Sequence, residues 1–80
     1  MTHSTENYQI IDNELHIKIE GKNGELIIKK DSKGLVNAIW HGRRRPFKKT
    51  ENVLKVYLPT LTVRIQELDS ENEFIIEYYR

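Results

Sequence analysis

Alternation of apolar and polar residues with a period of two constrains this chain more than any other feature. Glu14-Leu15-His16-Ile17-Lys18-Ile19-Glu20 alternates without a fault, and so does Leu61-Thr62-Val63-Arg64-Ile65-Gln66-Glu67. Successive side chains of a strand point to opposite faces, so Leu15, Ile17 and Ile19 share one face, as do Leu61, Val63 and Ile65. Val53 to Leu58 sets Leu54, Val56 and Leu58 inward. Glu73 to Tyr79 sets Phe74, Ile76 and Tyr78 inward and leaves Ile75 and Tyr79 outward. Glu25 to Lys30 turns Leu26 and Ile28 one way and Ile27 the other. Leu35 to Trp40 is apolar on both faces, the mark of a central or doubly covered strand. No segment repeats apolar residues at helical spacing over helical length.

The punctuation between these segments fits tight turns. Lys22-Asn23-Gly24 predicts a type I′ hairpin turn, because asparagine and glycine both accept positive φ. Asp31-Ser32-Lys33-Gly34 and Asp69-Ser70-Glu71-Asn72 predict further turns, and Pro59-Thr60 a kink. Tyr8 to Ile11 reads as a short extra strand, with Asp12-Asn13 as a turn or bulge after it. Pro46 lacks a donor, which keeps its surroundings out of the middle of a sheet. The expected fold is all-β: an antiparallel meander of five to seven short strands, closed into a small barrel or a two-layer sandwich. It forms a single small β domain over residues 1–80, with a polar tail at 1–7 and a long basic loop at 42–52.

Eighty residues bury only about 60–65% of the unfolded chain's surface, so stability margins are thin. The sequence has no cysteine, which suits a cytoplasmic protein and removes disulfides, thiolate nucleophiles and thiolate ligands. It has no run of eighteen apolar residues, so no membrane helix is expected. Residues 1–7 have no basic segment followed by an apolar one, so they do not read as a secretory signal.

Net charge is +1, but the charges are segregated. Arg43, Arg44, Arg45, Lys48 and Lys49 stand within seven positions with no acid among them. Glu67, Asp69, Glu71, Glu73 and Glu77 stand within 67–77 with no lysine or arginine. Such runs are solvated faces or docking surfaces. Guanidinium groups match phosphate oxygens, and three in a row suit successive phosphates. Phe47 and Trp40 beside them offer rings on which bases stack, unless both serve as packing residues. The candidate binding residues are therefore Trp40, Arg43, Arg44, Arg45, Phe47, Lys48 and Lys49.

Two functional classes follow. The acidic run and the small net charge favour a non-enzymatic protein-binding module, of adaptor or inhibitor type, docking on an oppositely charged protein. The alternative is a nucleic-acid-binding module built on 43–49. No catalytic set stands out: His3, His16 and His41 lack ligand spacing or a paired acid and nucleophile. The acidic run lacks a calcium-loop pattern, and the four glycines are scattered, so no metal or phosphate-loop cofactor is expected. Finally, apolar residues on both faces of 73–79 predict a homodimer that pairs or packs this strand, weakened by Ile75→Glu. In a monomer the 42–52 loop has to cover Ile75 and Tyr79 instead.

Overall fold

The computed structural model describes residues 2–30, 36–69 and 73–80. Among them are ten strands and no helix, arranged as two antiparallel five-stranded sheets in two compact units. Neither sheet closes on itself into a barrel.

The first unit, Asn7–Arg45, is a meander of neighbours. Its strands β2 (Tyr8–Ile11), β3 (Glu14–Lys18), β4 (Glu25–Lys30), β5 (Val36–Trp40) and β6 (Arg43–Arg44) pair in chain order. Asp12-Asn13 joins β2 to β3 with φ of 51° and 66°, and His41-Gly42 joins β5 to β6 with φ of 52° and 75°. Two central residues at positive φ match the right-handed twist of the flanking strands. Register then sets the faces. Ile17, Leu26 and Trp40 form one cross-strand row, and Leu15, Ile28 and Ala38 the next. Ile17 and Leu26 are wholly buried. Burying a side chain of that size contributes roughly 1.5–3 kcal/mol.

The second unit, Met1–Glu6 with Pro46–Arg80, is discontinuous in sequence. Its strands β7 (Phe47–Thr50), β8 (Val53–Tyr57), β9 (Thr62–Glu67) and β10 (Phe74–Tyr79) form a second meander, and β1 (Thr2–Thr5) pairs with β10 beyond it. Ile76, Ile65 and Leu54 make one buried row, and Tyr78, Val63 and Val56 the next. Leu58 and Leu61 flank the Pro59-Thr60 tip, both buried, with the Leu58 N–H donating to the Leu61 carbonyl at 2.9 Å.

The inward faces are those the alternation predicts, but the connectivity differs in four places. Residues 2–5 are not a tail, because their backbone completes the β10 edge. Residues 42–52 are not a long loop. Gly42 ends a hairpin turn, Arg43–Arg44 returns along β5, and β7 runs back into β8 around Glu51-Asn52. The strand number therefore exceeds the expected five to seven, and one meander becomes two. Asn23-Gly24 is not a two-residue turn. Residues 19–24 connect β3 and β4 through a turn in which the Lys22 N–H donates to the Ile19 carbonyl and Gly21 sits at φ 78°. That is the glycine a type II turn requires at its third position. Lastly, both edges of β10 are occupied, by β9 and β1, so edge-to-edge pairing of 73–79 in a dimer is closed off. The expected turn at 31–34, and residues 70–72 of the turn expected at 69–72, lie outside the described residues.

Candidate functional site

The basic run of 43–49 is divided by strand geometry. Arg43 pairs with Trp40 and lies on the buried face of the first sheet, while Arg44 pairs with Ile39 and lies on the other. Arg45 donates its N–H to the Ala38 carbonyl at 2.8 Å, which continues the ladder one step further. Three consecutive arginines thus alternate between faces and do not form one phosphate clamp. The chain then passes into the second unit at Pro46, whose carbonyl accepts the Tyr57 N–H at 3.0 Å. Pro46 stands just before β7, so its missing N–H falls at the end of the ladder and not within it.

The two aromatic candidates differ: Trp40 is buried and Phe47 is exposed. Trp40 is 9% exposed and lies in the Ile17–Leu26 row, with its ring edge-on to His41 at 4.5 Å. Phe47 pairs with Val56 and extends the Val56–Val63–Tyr78 row to the sheet's edge, where it is 39% exposed. Lys49 shares that face, opposite Leu54. Of the basic run, only Lys48 stands on the opposite face of this sheet.

On that opposite face the register assembles a row that the basic run alone does not show. Lys48 lies across from Lys55, Lys55 across from Arg64, and Arg64 across from Glu77. Arg64 Nη1 meets Glu77 Oε1 at 3.1 Å, so the row of cations ends on an acid. Tyr57 and Tyr79 flank the row on one side through Thr62. Val53 and Ile75 flank it on the other through Gln66. No described residue of this face is buried, and Tyr57 and Ile75 are 39% and 42% exposed. Ladder parity sharpens the crowding. The Glu67 N–H donates to the Asn52 carbonyl, which makes Lys55 and Arg64 a non-hydrogen-bonded pair, the kind that brings side chains closest. Like charges directly opposite one another destabilise a sheet, so this row costs stability in the free protein.

The remaining polar cluster lies on the first sheet. His16 Nδ1 is 2.9 Å from Glu25 Oε2, His16 Nε2 is 3.4 Å from Glu14 Oε1, and Glu14 Oε2 is 3.5 Å from Lys29 Nζ. The two carboxylates sit against different ring nitrogens, so they do not converge on one ion, and no metal-ligating cluster occurs among the described residues. His41 packs its ring over Gly24.

The residues missed from sequence are Lys55, Arg64, Tyr57 and Tyr79. Their signal is the Glu51-Asn52 turn, which brings Lys48 beside Lys55 and becomes visible only once 47–50 is read as a strand. Comparison with protein-family models, curated proteins and solved structures found no match for the chain.

Proposed function

We propose that this chain is a small non-enzymatic protein-binding module, of adaptor or inhibitor type, that takes an acidic partner protein on the open face of its second sheet. The row Lys48–Lys55–Arg64 carries the proposal. Its mutual repulsion is relieved by an acidic surface laid across it. Tyr57, Tyr79 and Ile75 beside it supply the aromatic and apolar anchors that dominate protein interfaces, where tyrosine and arginine are enriched. Nucleic acid is the weaker alternative. The arginines of 43–45 alternate between faces, and Arg64 already holds a carboxylate. A contact with about two phosphates gives a salt slope near −1.4 on a single strand, too shallow for tight binding.

Affinity capture followed by reconstitution with the purified partner tests this. Wild type is expected to cross-link to the partner through Lys48 and Lys55. Lys55→Glu is expected to lower affinity at least tenfold, with the loss falling as salt rises. Unchanged affinity in Lys55→Glu overturns the proposal. Salt-sensitive binding of an oligothymidylate that Lys55→Glu abolishes, with no protein partner recovered, replaces it by the nucleic-acid alternative.

A further inference from the structure

The two sheets end in four strand edges, β2 and β6 in one, β1 and β7 in the other. A bare edge is a template for pairing with another chain, and charge or proline on it blocks that. β6 carries Arg43 and Arg44 and is followed by Pro46. β7 carries Lys48 and Lys49 and is preceded by it. β1, Thr2-His3-Ser4-Thr5, has no large apolar residue. β2 is different: Tyr8-Gln9-Ile10-Ile11 has no charge and no proline, and Ile10 and Ile11 are 37% and 45% exposed.

The ladder fixes which backbone groups face outward. The Lys18 N–H donates to the Asn7 carbonyl at 2.9 Å, so Asn7, Gln9 and Ile11 turn their backbone groups toward β3. Ile10 occupies the alternate position, and its N–H and carbonyl face the open edge.

We propose that β2 pairs antiparallel with the same strand of a second copy, about a twofold axis at Ile10. In this register the Ile10 N–H and carbonyl exchange two hydrogen bonds with the partner's Ile10. Side chains directly opposite share a face, so Gln9 lies across from the partner's Ile11. The apolar row Ala38–Ile28–Leu15–Ile10 then continues unbroken into its copy, and two five-stranded sheets join as one of ten. The edge is complementary to itself: isoleucine meets isoleucine on one face, and neither strand brings a charge to the other. A net charge of +1 adds little repulsion between copies. The contact is small, so the dimer is weak, with a dissociation constant of about 10 μM to 1 mM.

Sedimentation equilibrium of the full chain from about 10 μM to 1 mM tests this, together with residue-resolved amide exchange. A monomer–dimer equilibrium is expected, with protection of the Ile10 amide rising with concentration. Ile11→Lys and Gln9→Lys place a charge on the edge without entering the buried row, and each is expected to weaken association at least tenfold with amide dispersion unchanged. A monomer throughout the range overturns the proposal. So does a dimer whose Ile10 amide exchanges as fast as in the monomer, or one that both variants leave intact.

Discussion

Replacing Lys55 by glutamate reverses the sign of the middle charge in a row that otherwise reads Lys48, Arg64, Glu77. In the wild type Lys55 has a cation on each side. Neighbouring strands hold such charges roughly 5–8 Å apart. At about 7 Å in a water-like dielectric each repulsion amounts to ~0.6 kcal/mol. Physiological salt screens that by roughly half, since the Debye length is about 8 Å. Two repulsions become two attractions, so Lys55→Glu gains about 1 kcal/mol in stability. In a chain of this length that raises Tm by about 4–8 °C. The salt dependence also changes sign: added salt relieves repulsion in the wild type and weakens attraction in the variant. Urea unfolding of both proteins at about 20 and 500 mM sodium chloride, a pair that spans strong and weak screening, measures the effect. A variant less stable than wild type at low salt refutes the reasoning, as does an equal response of the two proteins to salt. The proposed function expects the same substitution to cost partner binding, and a gain in stability beside that loss would mark Lys55 as exchanging one for the other.

Gly24→Ala is expected to cost about 1–2 kcal/mol by chemical denaturation, because φ is 87° there and a Cβ comes within 3.0 Å of His41 Cε1. His41 is exposed and its ring can swing aside, so the loss is expected to persist in a His41→Ala background. Glu77→Gln frees Arg64 from the carboxylate it meets at 3.1 Å, both side chains being about a third exposed. It is expected to lower stability by at most ~1 kcal/mol while tightening capture of an acidic partner, read by titration calorimetry. Ile17→Ala, at a site with no exposure, is expected to cost about 2–5 kcal/mol, enough to leave much of so small a chain unfolded in a thermal melt.

Alternation made the interior legible. Leu15, Ile17, Ile19, Leu54, Val56, Leu58, Leu61, Val63 and Ile65 are all buried, on the faces their spacing predicts. A strand that packs on one side must write its period into its sequence. The edges were not legible, for the opposite reason. Edge strands are kept short and charged to discourage pairing, so Arg43–Arg44 and Phe47–Thr50 resemble a solvated loop. The turns misled in a related way. Asn23-Gly24 has favourable chemistry but sits in a longer connection; Asp12-Asn13 makes a tight turn as expected, and His41-Gly42 makes one that is not expected. Seeing Lys48 beside Lys55 and Arg64 requires cross-strand register, which comes from hairpin geometry and not from proximity in sequence.

The pairing of β1 with β10 has a consequence for how the chain is made. Thr2–Thr5 is synthesised before any other strand, yet its partner is the last of the ten. The contiguous unit Asn7–Arg45 needs only neighbouring hairpins and is free to assemble while β7–β10 are still being translated. The discontinuous unit is not. Closing it spans the longest loop in the molecule, the kind of contact whose entropic cost must be met before any gain arrives. Until then the edge of β10 that β1 will cover is open, on a strand with apolar residues on both faces. Thr2–Thr5 thus act as a delayed seal, and until they pair that edge is open to mispairing with another chain.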